Sequence, residues 1–318
     1  MVKNKALGKY VNDTLKKIDS LCQQNDNCNT YIRGEVKEKT RLRPPPKKVK
    51  PKPPPEVKPK PPSKVKPKLK NNIKEITDFK ACAGNVKPHF KKIQGKGTSF
   101  WIDLHPKEID VHVSGAFYRG STWENGKYDF LRQQMTPDKK FIDIGANIGT
   151  FTLQALADGY TVIAVEAFSR NTQKLCSSIL KNNFKKVRLF QNAVWNDVDG
   201  TLGFDTPHDN IGGNQISTSS HDGEQVHKML IDSVIKGVDN YVMKIDIEAA
   251  ECRALASEKF WMNPPSAMTM EWGRILEFKK GLCPRPLYKQ LCHNISKHYG
   301  QDLTNFKGWD APNLIRKH

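Results

Sequence analysis

The residues best suited to chemistry lie where a predicted strand turns into a predicted helix. The segment 140–152, KFIDIGANIGTFT, contains an apolar strand that reaches Asp143, a turn with Gly145 and Gly149, and a helix that begins near Thr150. Glycine permits a tight turn and lets a helix approach both the sheet and a ligand. The first turn of a helix also offers free N–H groups to a polar or anionic group. The segment therefore predicts a ligand site at the end of the strand.

A second acidic residue follows at the spacing expected for a nucleoside site. Seventeen residues after Gly149, an apolar strand over 162–165 is followed by Glu166. A carboxylate at the end of the second strand is placed to accept hydrogen bonds from both hydroxyls of a ribose. The order of strand, glycine turn, helix, strand and acid therefore predicts a nucleoside-containing cofactor.

The spacing of the glycines separates two cofactor classes. A dinucleotide site favours GxGxxG, whereas this chain has DxGxxxG, with Asn147 at the position of the second glycine. Asp143 lies just before the turn. An acid there suits the positive sulfonium and amino group of S-adenosylmethionine and would repel a pyrophosphate. We therefore expect S-adenosylmethionine, with NAD as the alternative.

Acidic residues also end two later strands. Asp246 and Glu248 lie two positions apart at the end of the apolar run 241–245 and so share a face, with Lys244 below them. A hydroxyl acceptor must lose a proton to a base. We expect Asp246 near the amino group of the cofactor or the acceptor hydroxyl, and Glu248 as base or orienting residue; a purely structural lysine–carboxylate pair is the alternative. Glu271, at the end of the next strand, is a second candidate base.

The elements that must position these residues alternate between strand and helix from about residue 98. This alternation predicts an α/β domain with a parallel sheet. The predicted core strands are 140–144, 162–165, 187–191, 241–245 and 267–270, and the predicted helices are 128–135, 150–157, 170–181 and 250–258. Residues 100–117 are predicted to be rich in strand, and the polar region 196–222 to form a hairpin or loop.

The chain resembles the FkbM family of S-adenosylmethionine-dependent methyltransferases. The segments that carry the resemblance are FIDIGANIGTFT (141–152), VEA (165–167), NAVWNDVDGTLGF (192–204) and MKIDIEAAE (243–251), with GSTWE (120–124) and MTME (268–271) at the flanks. The resemblance implies a Rossmann-like class I methyltransferase fold with a doubly wound, mostly parallel, seven-stranded sheet. It also implies O-methylation of a hydroxyl on a sugar or natural product.

The resemblance and the motifs together define the expected site. The expected cofactor-binding residues are Asp143, Gly145, Asn147, Gly149, Thr150, Glu166, Asn192 and Ala193, the last two near the adenine ring; the expected catalytic residues are Asp246, Glu248 and Glu271. Two positions depart from the family pattern, since Ala167 replaces a proline and Ala249 replaces a glycine.

The sequence allows two interpretations of several residues near the site. Glu251 is either a helix cap or a substrate contact. His208 is a base or a solvated loop residue. Trp123 and Glu124 cover the cofactor, or Trp123 has only a packing role. Among the residue spacings we find no set typical of a metal site and no CxxC pair, so no metal is expected.

The charge of the chain is concentrated at its N-terminal end. Residues 1–100 hold 26 of the 52 basic and 8 of the 33 acidic residues, so residues 101–318 hold 26 basic and 25 acidic residues. The segment 44–68 has eleven prolines and nine lysines, with Val-Lys-Pro-Lys repeated three times. Such a segment predicts an extended, disordered spacer.

Four regions follow from this composition. They are a weakly structured basic segment (1–43), the Pro/Lys-rich linker (44–68), a basic connecting segment (69–97) and the methyltransferase-like domain (98–318). The tail is either an inert spacer or a segment attracted to an acidic partner, such as a membrane surface or a polyanion. The near-neutral domain predicts no dedicated nucleic-acid groove.

The cysteines and the N-terminal sequence give evidence about the cellular compartment of the protein. The seven cysteines are scattered; Cys22 with Cys28, and Cys283 with Cys292, could close short loops, with reduced thiols as the alternative. No signal or membrane-spanning segment is present in the sequence, which predicts a cytoplasmic location by default, or the secretory lumen if an anchor precedes the chain.

Three functions remain open on the sequence. The first is O-methylation of a carbohydrate or another small hydroxylated acceptor. The second is methylation of a protein or nucleic acid recruited by the tail. The third is a binding or scaffolding protein that keeps the fold without catalysis, for which Ala249 is the supporting residue.

Overall fold

A computed structural model describes residues 72–95, 98–121, 123–205, 215–217, 223–276 and 282–317. The Pro/Lys-rich linker, the segment before it and His208 lie outside the described residues. Within the described residues no helix is both long enough and apolar enough to cross a membrane.

The described residues form thirteen strands and nine α-helices. The strands are β1 (Glu75–Ile76), β2 (Phe90–Gln94), β3 (Ser99–Asp103), β4 (Lys140–Ile144), β5 (Thr161–Val165), β6 (Val187–Phe190), β7 (Ala193–Val194), β8 (Thr201–Asp205), β9 (Gln215–Ser217), β10 (Glu224–Met229), β11 (Tyr241–Ile245), β12 (Ala267–Met270) and β13 (Leu314–Ile315). The helices are α1 (Phe79–Ala83), α2 (Val113–Tyr118), α3 (Asn125–Gln133), α4 (Thr150–Ala157), α5 (Ser169–Lys181), α6 (Ile231–Val234), α7 (Glu251–Ala254), α8 (Glu258–Met262) and α9 (Arg285–Tyr299).

The main sheet contains seven strands in the order β1-β6-β5-β4-β11-β12-β13. The five inner strands are parallel, whereas the edge strands β1 and β13 are antiparallel to their neighbours. The α/β fold and the number of strands agree with the prediction, but the sheet is mixed. All five predicted core strands are present within a residue or so of their predicted ends.

The inner strands are buried on both faces, as their continuous apolar sequences predict. In β4, Ile142 and Ile144 lie in one hydrophobic core with Met243 of β11. Phe141 lies in a second core with Phe151 of α4. Because side chains alternate along a strand, one strand supplies both cores, and its carboxyl end is held rigidly from two sides.

The folded region begins before the predicted domain boundary at residue 98. Strand β1 pairs with β6, and Cys82 of α1 forms a disulfide with Cys176 of α5. The predicted boundary therefore lies inside the folded region, because a two-residue strand and a five-residue helix are too short to show hydrophobic periodicity.

Of the two alternatives for Cys283 and Cys292, a disulfide between them is not formed, and only Cys292 is a free thiol. Cys283 is bonded to Cys252 of α7, whose Cα atom lies 5.3 Å away, a normal distance for a disulfide. Cys292 is buried and reduced. Cys22 and Cys28 lie outside the described residues. Spacing along the chain favoured the nearer pair, but the fold brings together two cysteines 31 residues apart.

Two further segments differ from the predicted elements. Only β3 is extended within 100–117, because the carboxylate of Asp110 accepts hydrogen bonds from the N–H groups of Val113 and Ser114 and so starts α2. The helix predicted over 250–258 is two short helices, because Ser257 caps α8. The polar region after β6 contributes β8 and β9 to a second sheet, β7-β10-β8-β9, in agreement with the predicted hairpin.

Candidate functional site

A cavity of about 260 Å³ opens at the carboxyl ends of β4, β5 and β11. Ligands of open α/β sheets bind at this edge. Of the expected cofactor residues, Gly145, Asn147, Thr150, Glu166, Asn192 and Ala193 line the cavity, and so do all three expected catalytic residues. The sequence motifs thus converge on one cavity, with the Glu166 end distinct from the end formed by Asp246, Glu248 and Glu271.

The glycine turn shapes the floor of this cavity. Gly145 has a φ of +78° and Gly149 a φ of +98°, a region that favours glycine. A Cβ atom on Gly149 would be 2.4 Å from Leu175 Cδ1, so this glycine lets α4 approach α5. Gly149 does not line the cavity, and its role is to position the helix. Asn147, with a φ of +53°, tolerates the same conformation.

Glu166 lies at the other side of the turn and is 7% exposed. Its Oε2 accepts a hydrogen bond from the Asn147 N–H (2.7 Å), and its Oε1 accepts one from the Phe168 N–H (2.9 Å). Burial raises the pKa of Glu166, and these backbone N–H groups oppose that rise. The side-chain amide of Asn171 also donates to Oε1, at 3.4 Å. A carboxylate has about four acceptor sites, so these bonds orient the group and leave acceptor capacity at the cavity.

Asp143 does not line the cavity, although it was expected to bind the cofactor. It is fully buried, accepts a hydrogen bond from Thr152 Oγ1 (2.7 Å) and lies 3.7 Å from Lys244 Nζ. Lys244 Nζ in turn donates to the carbonyl oxygen of Gly145 (2.6 Å) and lies 3.7 Å from Asp246 Oδ2. Asp143 therefore acts on the turn through Lys244, whose pKa is raised by the surrounding carboxylates despite its burial.

The three expected catalytic carboxylates lie together at the opposite end. One oxygen from each of Asp246, Glu248 and Glu271 lies within 4.8 Å of the others, a spacing that could hold a metal ion. Arg274 Nε is 2.6 Å from Glu248 Oε2 and 3.7 Å from Glu271 Oε1, so a guanidinium group already compensates part of this charge. Burial and the neighbouring carboxylates raise the pKa of Glu271 to about 10, which favours its neutral form at pH 7.

The adenine-side residues have structural partners as well. The side chain of Asn192 accepts from the Lys74 N–H (2.8 Å) and donates to the carbonyl oxygens of Asn72 and His227. Asn192 therefore ties the segment of β1 to the sheets while it lines the cavity. Ala193 is the first residue of β7 and is buried.

Glu251 has a structural role at the loop before α7, and the helix has no side-chain cap. Its Oε1 accepts a hydrogen bond from the Ile247 N–H (2.8 Å), and it does not line the cavity. Burial raises its pKa to about 8. Glu251 thereby closes the loop that carries Asp246 and Glu248.

Sequence reasoning missed several lining residues. They are His112, Lys127, Phe168, Asn171, Arg274 and Trp309. Phe168 and Asn171 follow Glu166 closely, so a strand-to-helix turn could have indicated them. Arg274 and Trp309 carry no local motif. Trp123 and Glu124 line the cavity, and Trp123 also packs against the second hydrophobic core, so both interpretations of Trp123 stay open.

One protein-family model matches part of the chain. Residues 143–298 match the family model described as the methyltransferase FkbM domain. This part of the chain is a methyltransferase FkbM domain. The family resemblance that the sequence motifs indicated is thus confirmed. The cofactor of the FkbM domain is S-adenosylmethionine.

Two solved structures show low similarity to this chain. A 16S rRNA N2 G1207 methyltransferase (RsmC) from T. thermophilus, in complex with AdoMet and guanosine, has a TM-score of 0.36 and 14% identity, over 72% of this chain and 50% of that one. TYW2 from M. jannaschii, in complex with AdoMet, has a TM-score of 0.30 and 15% identity, over 67% of this chain and 74% of that one. No curated protein sequence matches the chain.

Proposed function

We propose that the protein O-methylates a hydroxyl group of a carbohydrate or another small hydroxylated acceptor. The supporting observation is that one cavity joins a nucleoside-type end at Glu166 to a carboxylate-rich end at Asp246. The first end suits the cofactor of the FkbM domain, and the second suits a hydroxyl that must lose a proton.

The described residues fit S-adenosylmethionine. Glu166 would accept hydrogen bonds from the ribose hydroxyls, and Asn192 with Ala193 would lie by the adenine. The narrow turn at Gly145 and the negative charge of Asp246 suit the positively charged methionine part. The bound cofactor supplies an electrophilic methyl group for in-line transfer. Methyl transfer depends mostly on positioning, so these residues carry much of the catalysis.

Asp246 is the proposed base. Its side chain is 30% exposed at the cavity, and its nearest cation, Lys244, lies 3.7 Å away. Glu248 is held close by Arg274, with 2.6 Å between Oε2 and Nε, and would orient the acceptor. Burial and the neighbouring carboxylates raise the pKa of Glu271, which favours its neutral form. In that form Glu271 would donate a hydrogen bond to the acceptor. The acceptor proton would pass to an Asp246 carboxylate oxygen.

Calorimetric titration of the full chain tests the cofactor half of the proposal. S-adenosylmethionine and its demethylated product should bind, and Glu166→Ala should lose about 1–3 kcal/mol of binding, or roughly 5- to 150-fold. Glu108→Ala is the control, because Glu108 is exposed and outside the cavity lining. Absence of binding by folded protein would exclude the proposal.

A transfer assay tests the acceptor half. The full chain with methyl-labelled cofactor should label at least one sugar in a panel of mono- and disaccharides, and Asp246→Asn should slow the transfer at least about a hundredfold. Label on amino groups in place of hydroxyls would contradict O-methylation.

We also propose an oxidising compartment. The disulfides Cys82–Cys176 and Cys252–Cys283 favour the secretory pathway over the reducing cytosol. Thiol labelling of the protein in intact cells, before and after reduction, tests this location.

A further inference from the structure

Trp309 is a large aromatic residue that is open to solvent at the cavity. It lines the cavity and yet is 60% exposed. Ligand sites combine apolar or aromatic surfaces with a few placed polar groups. The exposed ring of Trp309 is therefore available for contact with a ligand in the cavity.

The indole is held in place by its own backbone and by its neighbours. The carbonyl oxygen of Trp309 accepts hydrogen bonds from the N–H groups of Trp272 (2.8 Å) and Gly273 (2.6 Å). A Cβ atom on Gly273 would be 2.7 Å from Trp309 Cε3, so the ring packs where glycine leaves room. The Arg274 guanidinium lies 5.9 Å from the ring centroid. The exposed ring is thus preorganised.

Trp309 also lies next to the proposed reaction centre. Its neighbour Asp310 forms a β-bridge with Glu271. Asp310 Oδ1 lies 2.6 Å from Lys127 Nζ, which also pairs with Glu124. This ion pair joins the wall that contains Glu124 to the wall that contains Trp309, and it fixes the acceptor end of the cavity.

The charge around the ring selects against anionic ligands. Four carboxylates (Asp246, Glu248, Glu124 and Asp310) lie at this end with the carboxyl group of Glu271, whose raised pKa favours its neutral form. They outnumber the three cations (Lys244, Lys127 and Arg274), each of which is paired with one or more of these groups. Carboxylates accept hydrogen bonds from hydroxyl groups and repel phosphates. A neutral molecule with hydroxyl edges and a C–H face complements both the carboxylates and the indole.

We propose that Trp309 is the stacking platform for a neutral pyranose ring of the acceptor, with the sugar hydroxyls directed to the carboxylates. This assignment rests on the proposed O-methyltransferase function and names its substrate class. Trp309 is a specificity-determining residue, since it selects a ring with an apolar face without taking part in the proton transfer.

Saturation-transfer NMR of the full chain tests the platform. Methyl pyranosides of glucose, galactose, mannose and xylose are added in the presence of S-adenosylhomocysteine. At least one should bind, and Trp309→Ala should weaken it by at least about tenfold, with Trp309→Phe intermediate. Trp101→Ala is the matched control, because Trp101 is 36% exposed but outside the cavity lining, and it should bind normally.

Each outcome decides a separate claim. Equal pyranoside binding by wild type and Trp309→Ala would overturn the platform. Binding of S-adenosylhomocysteine without any pyranoside would overturn the platform and leave methyl transfer standing. Failure of S-adenosylhomocysteine to bind would overturn the proposed function itself. Thermal melts of both variants check that they are folded, and Trp309→Phe alone carries the test if Trp309→Ala is unfolded.

Discussion

The carbonyl oxygen of Asp246 occupies the space beside Gly145 that a side chain would need. A Cβ atom on Gly145 would be 1.9 Å from that oxygen, far inside van der Waals contact. Gly145 follows β4 and Asp246 follows β11, and these neighbouring parallel strands are in register up to Ile144 and Ile245. The two halves of the site, the cofactor turn and the proposed base, therefore touch through backbone atoms.

Gly145→Ala should consequently damage both stability and cofactor binding. The overlap and the positive φ together should cost about 2–4 kcal/mol of unfolding free energy, and the Kd for S-adenosylmethionine should rise at least tenfold. Urea unfolding and calorimetry measure the two effects. Gly159→Ala is the control, because Gly159 has a φ of +91° but no atom within 4 Å of the position that a Cβ would take. It should lose only about 1–2 kcal/mol; equal losses in both variants would contradict the overlap argument.

Ala249→Gly should stabilise the protein. Ala249 is buried with a φ of +77°, next to Glu248 with a φ of +56°. A left-handed residue other than glycine costs about 1–2 kcal/mol, and glycine loses part of this gain through backbone entropy. We expect a net gain of about 0.5–1 kcal/mol in urea unfolding, with methyl transfer at least equal to that of wild type.

The neighbouring alanine is the matched control for this change. Ala250 is buried with a φ of −90°, so Ala250→Gly should destabilise. A loss of stability in Ala249→Gly would show that the loop is not strained at this position. Methyl transfer by the wild-type chain would itself exclude the scaffolding interpretation that Ala249 suggested.

The residues of the cavity that lie at strand ends could be predicted from sequence. Gly145, Glu166, Asp246 and Glu271 each follow an apolar run, and the carboxyl ends of parallel strands meet at one edge. Asp143 differs because it lies inside its strand, two residues before Gly145. Its side chain is therefore enclosed beneath the cavity, where it contacts Lys244.

The remaining contacts depend on long-range packing that leaves no local signal. Trp309 reaches the cavity because Ala311 and Met270 are hydrogen-bonded across the end of β12. Cys82 meets Cys176 across 94 residues. Neither contact can be predicted from periodicity or from a motif, since each depends on how segments that are distant in the sequence pack against the sheet.

The two carboxylates of the proposed chemistry should respond differently to amide substitution. Glu271→Gln keeps a neutral group that can donate a hydrogen bond, so kcat should stay within about threefold of wild type at pH 7. Asp246→Asn removes the proposed base and should lower kcat about 10²- to 10⁴-fold. Labelled methyl transfer to the best acceptor, with saturating cofactor, measures both. A large loss in Glu271→Gln with little loss in Asp246→Asn would reverse the assignment.

Glu271 should also make stability fall as pH rises. Its pKa is raised from 4.5 to about 10 in the folded protein, so between these values the folded state binds more protons than the unfolded state. The free energy of unfolding therefore decreases with pH, by at most about 1.4 kcal/mol per pH unit for one group. Urea unfolding from pH 6 to 9 should show a shallower decrease for Glu271→Gln than for wild type. Glu108→Gln, an exposed control, should leave the slope unchanged.

The N-terminal limit of the folded region should appear in a pair of deletions. Removal of residues 1–71 spares β1 and Cys82, whereas removal of residues 1–97 deletes both, together with β2. Loss of a disulfide that closes a loop of this length costs about 2–5 kcal/mol. We therefore expect the shorter deletion to unfold at nearly the urea midpoint of the full chain, and the longer one to be destabilised by at least that amount.

Cys82→Ser in the full chain separates the contribution of the disulfide from that of strand β1, because it should reproduce only part of the loss. Equal stability of the two deletions would show that the domain begins near residue 98, as its hydrophobic pattern alone suggests.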